Sequence, residues 1–365
     1  MDKNNIIVKL LIGICLFFLG CAAMFLFIGH APKLFSTTKL EKDVTVTDKG
    51  IADAVEKVYD SVVVVATYKD NKLTSTGTGF VYKKDKDTAY ILTNNHVIDG
   101  GTKITVRFTT DKVVETTVVG SDVISDIAVL SVKSSDILGV APISSEKELR
   151  IGDTVFTVGA PVNSVYSWTV TRGIISGKDR MVEVELPSNS GDYVMRVLQT
   201  DAAINSGNSG GPLCNSNGEV IGITSLKLVD ASVEGMGFAI PIETATEYAE
   251  KLVAGEKITR PYIGVSMYNV SDALYRTSYG VMLSKYDITS GVLITSVEKN
   301  SAADKAGLKD GDVIIKVADK EVNSIGFFRY YLYNYEVGDK VNITIIRNGE
   351  EKTLSITLAT KDKTY

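Results

Sequence analysis

Histidine and cysteine are scarce in this chain, with two of the first and three of the second among 365 residues. So few imidazoles and thiols leave no cluster from which a transition-metal site could be built, and no metal or cofactor is expected. Cys15 and Cys21 fall in one apolar run near the N-terminus, and Cys214 stands alone beyond it. No intrachain disulfide is therefore possible in the globular part, and Cys214 in Pro212-Leu213-Cys214 reads as a small core residue. A basic excess is lacking too. The net charge of −5 gives no reason to propose nucleic-acid binding. Scarce histidine also narrows the chemistry. His30 borders the apolar run, so a reaction needing an imidazole base must use His96.

What is present is a hydrophobic content of 44%, enough for two or three domains with real cores. Leu10 to Gly29 is an almost unbroken uncharged stretch, long enough to cross a bilayer as a helix. Lysines stand on both sides (Lys3 and Lys9, then Lys33, Lys39 and Lys42), so charge alone is silent on orientation. A cleaved signal peptide and a lipoprotein processed at Cys21 are the rival readings. No small-x-small site closes the run, and Ala22 to Ile28 stay apolar after Cys21. The expectation is an uncleaved anchor: a cytoplasmic tail at 1–9, a transmembrane helix at 10–30, and a polar linker at 31–50.

Helical spacing of Ile51, Val55 and Val58 opens the next region, 51–254. Short strands rich in Val, Ile and Thr follow: 62–67, 76–82, 89–93, 104–108, 113–119 and 127–132. A crossover over 134–152 leads to a second set at 154–158, 169–176, 181–185, 194–199, 220–227 and 236–240. This rhythm permits two antiparallel barrels. Ile242 to Leu252 reads as a helix leading to a third module, 260–360.

Three blocks carry chemistry. In Gly207-Asn208-Ser209-Gly210-Gly211, glycines bracket a serine and allow a tight turn with positive φ. A nucleophile needs such a perch, with N–H groups converging on the place where an oxyanion forms. His96 follows a strand in Thr93-Asn94-Asn95-His96-Val97, and Asp126 opens one in Ser125-Asp126-Ile127-Ala128-Val129-Leu130. Singly, each has a structural reading: a glycine-rich hairpin, a satisfied histidine, a turn aspartate. Together they run His, Asp, Ser along the chain, the order of chymotrypsin. Serine is a poor nucleophile until a base takes its proton, and the imidazole needs a carboxylate to fix its tautomer.

With Gly237-Phe238-Ala239-Ile240-Pro241, these blocks resemble the HtrA (Deg) serine proteases from about Ile51 to the C-terminus. Ser206 departs from the family, which usually has proline there. The resemblance implies a mainly β, chymotrypsin-like double-barrel protease domain working through an acyl-enzyme. It implies an oxyanion hole around Gly207, Asn208 and Ser209, and a substrate pocket around Ala203, Ile204, Gly235 and Gly237. Ala203 stands where trypsin-like enzymes carry the aspartate that selects Lys or Arg, so small or medium aliphatic P1 residues are expected. Asn208 replaces the aspartate that pairs with a new N-terminus in zymogens, so ordering of loops 162–168, 186–193 and 226–235 takes the place of cleavage. The third module resembles an α+β PDZ domain of bacterial type. Tyr262-Ile263-Gly264-Val265 matches the carboxylate-binding loop, and a helix over 325–333 is expected beside the peptide groove.

By the same resemblance, the expected partners are unfolded or misfolded polypeptides, C-terminal peptides at the PDZ domain, and two further copies in a homotrimer. The catalytic and PDZ domains are expected on the extracytoplasmic side of the bacterial cell membrane, without nucleic acid. The alternative is a non-catalytic peptide-binding holdase or scaffold with a protease fold.

Overall fold

A computed structural model describes residues 3–30, 48–145, 149–160, 168–184, 193–226, 235–276 and 278–361. It divides into two compact units, Met1–Thr47 and Asp48–Tyr365.

The first unit contains α1 (Lys3–His30). Its described side chains, Val8 to Met24, are exposed. No helix among the described residues is long and apolar enough to cross a membrane. The transmembrane span expected at 10–30 is thus not shown. Most of the expected linker, residues 31–47, lies outside the described residues.

The second unit opens with α2 (Asp48–Tyr59), which buries Ala54 and Val58. Next come β1 (Val62–Lys69), β2 (Lys72–Lys84), β3 (Thr88–Thr93), α3 (Asn95–Ile98), β4 (Lys103–Arg107), β5 (Val113–Glu115), β6 (Thr117–Asp122) and β7 (Ile127–Lys133). The strands form an antiparallel sheet in the order β5-β4-β1-β2-β3-β7-β6. Only Thr116 separates edge strands β5 and β6, so the sheet must roll on itself. Asp70 and Asn71, with φ of 50° and 61°, make the two-residue turn between β1 and β2, as a right-twisted hairpin requires.

A six-stranded barrel follows: β8 (Thr154–Gly159), β9 (Thr169–Val184), β10 (Tyr193–Thr200), β11 (Pro212–Asn215), β12 (Val220–Thr224) and β13 (Gly237–Pro241). It closes in the order β10-β13-β12-β11-β8-β9. Two expected strands, 169–176 and 181–185, are one long strand, β9, and the single strand expected at 113–119 is split into β5 and β6. One core joins the halves: Phe80, Leu92 and Ile127 from the rolled sheet meet Phe156, Val158, Ile223 and Ile240 from the barrel. α4 (Ile242–Val253) then buries Ala245, Ala249 and Leu252.

The last region contains β14 (Val265–Asn269), α5 (Val270–Arg276), α6 (Gly280–Lys285), β15 (Val292–Val297), α7 (Ala302–Ala306), β16 (Val313–Val317), β17 (Lys320–Glu321), α8 (Ile325–Leu332), β18 (Lys340–Arg347) and β19 (Glu350–Thr357). Its sheet runs β14-β15-β16-β18-β19, with β17 paired to β16, and β14 lies at the edge. α8 is capped by the Ser324 hydroxyl, which accepts from Phe327 N and also bonds Glu183 of β9. At Gly326, an added Cβ would meet Val194 of β10 at 3.2 Å, so α8 lies against the barrel. Between α4 and β14, the Arg260 guanidinium grips both carboxylate oxygens of Asp122 at 2.7 and 2.6 Å. It also lies 5.7 Å from the Tyr248 and Tyr333 ring centres. These bonds tie the third region to the first sheet.

Candidate active site

α3 is a single turn that starts where β3 ends, and it presents His96. Asp126 sits just before β7, where it takes a φ of 56°, and it is completely buried. Its backbone carbonyl accepts from Asn94 Nδ2 at 3.0 Å and from Asn95 N at 3.1 Å. Its carboxylate accepts from His96 N at 3.0 Å and from the Ser225 hydroxyl at 3.1 Å. The His96 ring nitrogen Nδ1 lies 2.8 Å from Oδ2 and 3.0 Å from Oδ1. A carboxylate only accepts, so Nδ1 carries a proton here, and in the neutral ring Nε2 then holds the lone pair. That tautomer is the one a general base needs.

Ser209 comes from the barrel, in the turn before β11, and Thr78 of β2 fastens that turn to the first sheet. Thr78 N donates to Ser209 O at 2.8 Å, and Thr78 Oγ1 donates to Gly207 O at 2.6 Å while accepting from Ala160 N at 3.1 Å. Gly207 and Gly210 have φ of 98° and 85°. A Cβ at Gly210 would sit 2.2 Å from Thr78 O, so no other residue fits there. Ser209 Oγ accepts from Leu226 N at 3.1 Å. Among the described residues the N–H groups of Gly207 and Ser209 have no acceptor, whereas Asn208 N bonds Asn205 O at 2.9 Å. Two free donors beside the serine can serve a developing oxyanion. Asn208 is fully buried, and its side chain donates to Ala203 O at 3.3 Å.

Of the expected pocket residues, Ile204 and Gly237 are brought together: a Cβ on Gly237 would lie 2.5 Å from Ile204 Cγ1. Ala203 is exposed, and Gly235 lies in open space with a φ of 78°. Most of the three loops expected to order on activation, residues 161–167, 185–192 and 227–234, lies outside the described residues. Cys214 is fully buried and burial pushes its thiol up, as for an inert core residue. Among the described residues no cluster could hold a metal ion.

Two partners of the site were not legible in the sequence. Ser225 ends an apolar strand with nothing to distinguish it from other serines. Asp122 reads there as a turn aspartate, and it does accept from Ser125 N at 2.7 Å, but its second partner is Arg260, 138 residues away.

In the third region, Gly264 has a φ of 85°, and a Cβ there would lie 2.3 Å from Ser301 Cβ. Tyr262 N bonds Ala359 O at 2.8 Å, and Val265 begins β14. Among the described residues the N–H groups of Ile263 and Gly264 have no acceptor.

The two β-rich halves with an Asp-held imidazole and a serine at their seam define a trypsin-like serine protease, here followed by a smaller α+β module. A trypsin-like peptidase domain is matched over residues 77–223 and a PDZ domain over 261–358. Serine protease Do-like HtrB of Bacillus subtilis is 40% identical over 329 residues, which are 84% of this chain and 70% of that protein. Serine protease Do-like HtrA of Lactococcus lactis subsp. cremoris is 36% identical over 361 residues, 91% of this chain and 88% of that one. The solved serine endoprotease of Yersinia pestis superposes with a TM-score of 0.64 at 31% identity, covering 86% of this chain and 98% of that one. The chain belongs to the HtrA (Do-like) family of serine proteases, and it is a serine endopeptidase with a C-terminal PDZ domain.

Proposed function

We propose that His96, Asp126 and Ser209 form the catalytic triad of an endopeptidase that cuts unfolded or regulatory proteins of the cell envelope. The observation that carries this reading is the His96 Nδ1 contact with both Asp126 oxygens, which leaves Nε2 as the free base. In the reaction, Ser209 Oγ exchanges its Leu226 N–H bond for His96 Nε2, gives up its proton there, and attacks the scissile carbonyl. The N–H groups of Gly207 and Ser209 hold the oxyanion; one such donor is worth about 2.7–4 kcal/mol. His96 then passes the proton to the leaving amine, and water releases the acyl group by the same steps. Ile204, close against Gly237, narrows the P1 pocket and favours small or medium aliphatic side chains.

The PDZ domain takes peptide C-termini. The edge strand β14 offers backbone groups for strand addition, and the free N–H groups of Ile263 and Gly264 suit a terminal carboxylate. Such peptides raise the activity. The apolar run 10–29 anchors the chain with both domains on the extracytoplasmic side, where it works as a homotrimer. A fluorophosphonate probe tests the catalytic assignment: it labels the wild type, and Ser209→Ala abolishes labelling. A holdase with a dead site gives no labelling in either protein. Externally added protease must reach the catalytic domain in intact spheroplasts, and sedimentation of residues 48–365 must give three copies.

A further inference from the structure

The PDZ domain has a second recess, apart from the expected peptide groove. The groove lies between β14 and α8, whereas this recess lies between α8 and the β16–β17 hairpin. It is a half-open depression of about 440 Å³ lined by Val317, Asp319, Lys320, Tyr330, Tyr331, Asn334 and Tyr335. That size falls among small-molecule sites, which run from about 300 to 1,000 Å³. Val317 is buried. The Tyr330 and Tyr331 rings meet at 68° with centres 5.5 Å apart, making a corner of two aromatic faces. Phe327 backs Tyr331 at 6.0 Å, and Tyr331 and Tyr335 pack on the domain core, so those two walls are set before any ligand arrives, while Tyr330 stands half-buried beside Tyr331. Among the described residues the hydroxyls of Tyr330, Tyr331 and Tyr335 and the Asn334 amide have no protein partner. The two charged residues, Asp319 and Lys320, pair with each other at 3.1 Å.

Each feature narrows the ligand. A charged ligand of either sign meets its like as well as its opposite in the Asp319–Lys320 pair, so the pair favours neither a cation nor an anion, and only the rings would draw a quaternary ammonium. A purely apolar ligand would strip water from the hydroxyls, the amide and the ion pair without replacing their hydrogen bonds. A peptide strand finds no ladder to join, because β17 is only two residues long. A neutral ring with an apolar face and many hydroxyls satisfies every wall. From this geometry we propose that the recess is a binding site for a neutral sugar, one pyranose of a glycan chain stacking on Tyr330 and bonding to Asp319, Lys320 and Asn334. The site is independent of the triad and of the peptide groove, and it would hold the protease on polysaccharide while it works.

The test uses the full chain in a sugar-free detergent, with the N-acetylglucosamine trimer and cellotriose as probes. Saturation-transfer NMR should show binding of one or both, with a Kd of about 1 mM, as for a shallow site. Tyr330→Ala should weaken binding about tenfold, and Asn334→Ala severalfold, while fluorophosphonate labelling stays at the wild-type level. If Tyr330→Ala fails to fold, the exposed Asn334 decides the matter. The proposal falls if neither sugar binds at about ten times that concentration, if both variants bind as the wild type does, or if tetramethylammonium displaces the sugar at lower concentration.

Discussion

Replacing Arg260 by methionine isolates the contact that ties the third region to the first sheet. The side chains of Arg260 and Asp122 are only 14% and 10% exposed. The substitution keeps an unbranched apolar stem but removes the guanidinium that lies over Tyr248 and Tyr333, and it leaves a carboxylate buried with Ser125 N as its remaining donor. Breaking a buried pair from one side costs about 3–5 kcal/mol. The surviving Ser125 bond places this case near the lower end, at about 3 kcal/mol. With an m-value of about 3 kcal/mol/M, the urea midpoint of residues 48–365 should fall by about 1 M.

The pH dependence makes the prediction sharper. Burial by itself raises the Asp122 carboxyl, but the Arg260 bonds and charge and the Ser125 N–H outweigh it, and the group lies below its ordinary value. A depressed carboxyl contributes stability above the unfolded value of about 3.9, and loses it as pH falls through the folded one. In the variant burial acts almost unopposed, so the shift reverses and stability is lost as pH rises. The deficit should therefore be widest near pH 7 and shrink toward pH 4. Adding Asp122→Asn should recover part of it. A variant within about 0.5 kcal/mol of the wild type at pH 7, or a deficit that does not change with pH, would refute this account.

Three further outcomes are expected. Ser225→Ala removes a hydroxyl that donates to the Asp126 carboxylate and should lower kcat/KM about tenfold, equal to about 1.4 kcal/mol, with the folded spectrum unchanged; full activity would show that the bond is dispensable. Ile204→Ala vacates the space against Gly237 and should shift peptide libraries toward larger aliphatic P1 residues, whereas an unaltered P1 profile would place the pocket elsewhere. Gly264→Val must strain a φ of 85° and collide with Ser301, so free-acid peptides should cease to bind and to stimulate cleavage, while fluorophosphonate labelling persists. Amidated peptides stimulating as well as free acids would remove the carboxylate from the account.

The blocks proposed as catalytic stand out in the sequence because they combine rare residues with local geometry. Gly207 and Gly210 announce their positive φ, and His96 is singled out by scarcity. Strand periodicity gave the halves but not their joints. β11 is four residues directly after a glycine turn, too short for alternation to register, and β9 keeps pairing through the Gly177–Asp179 bend where a break was expected. α3 is one turn within a segment that reads as a loop. The Asp122–Arg260 grip was invisible for another reason: charges far apart in sequence are matched only by the packing that brings them together.

Thr78 has a consequence for how this enzyme can be turned off. One side chain and its own N–H bind Gly207, Ser209 and Ala160 from the opposite half of the protease. Prising the two halves apart would tear out the nucleophile turn itself. A jaw that rested open would therefore have to break all three of these bonds and remake them as it closed.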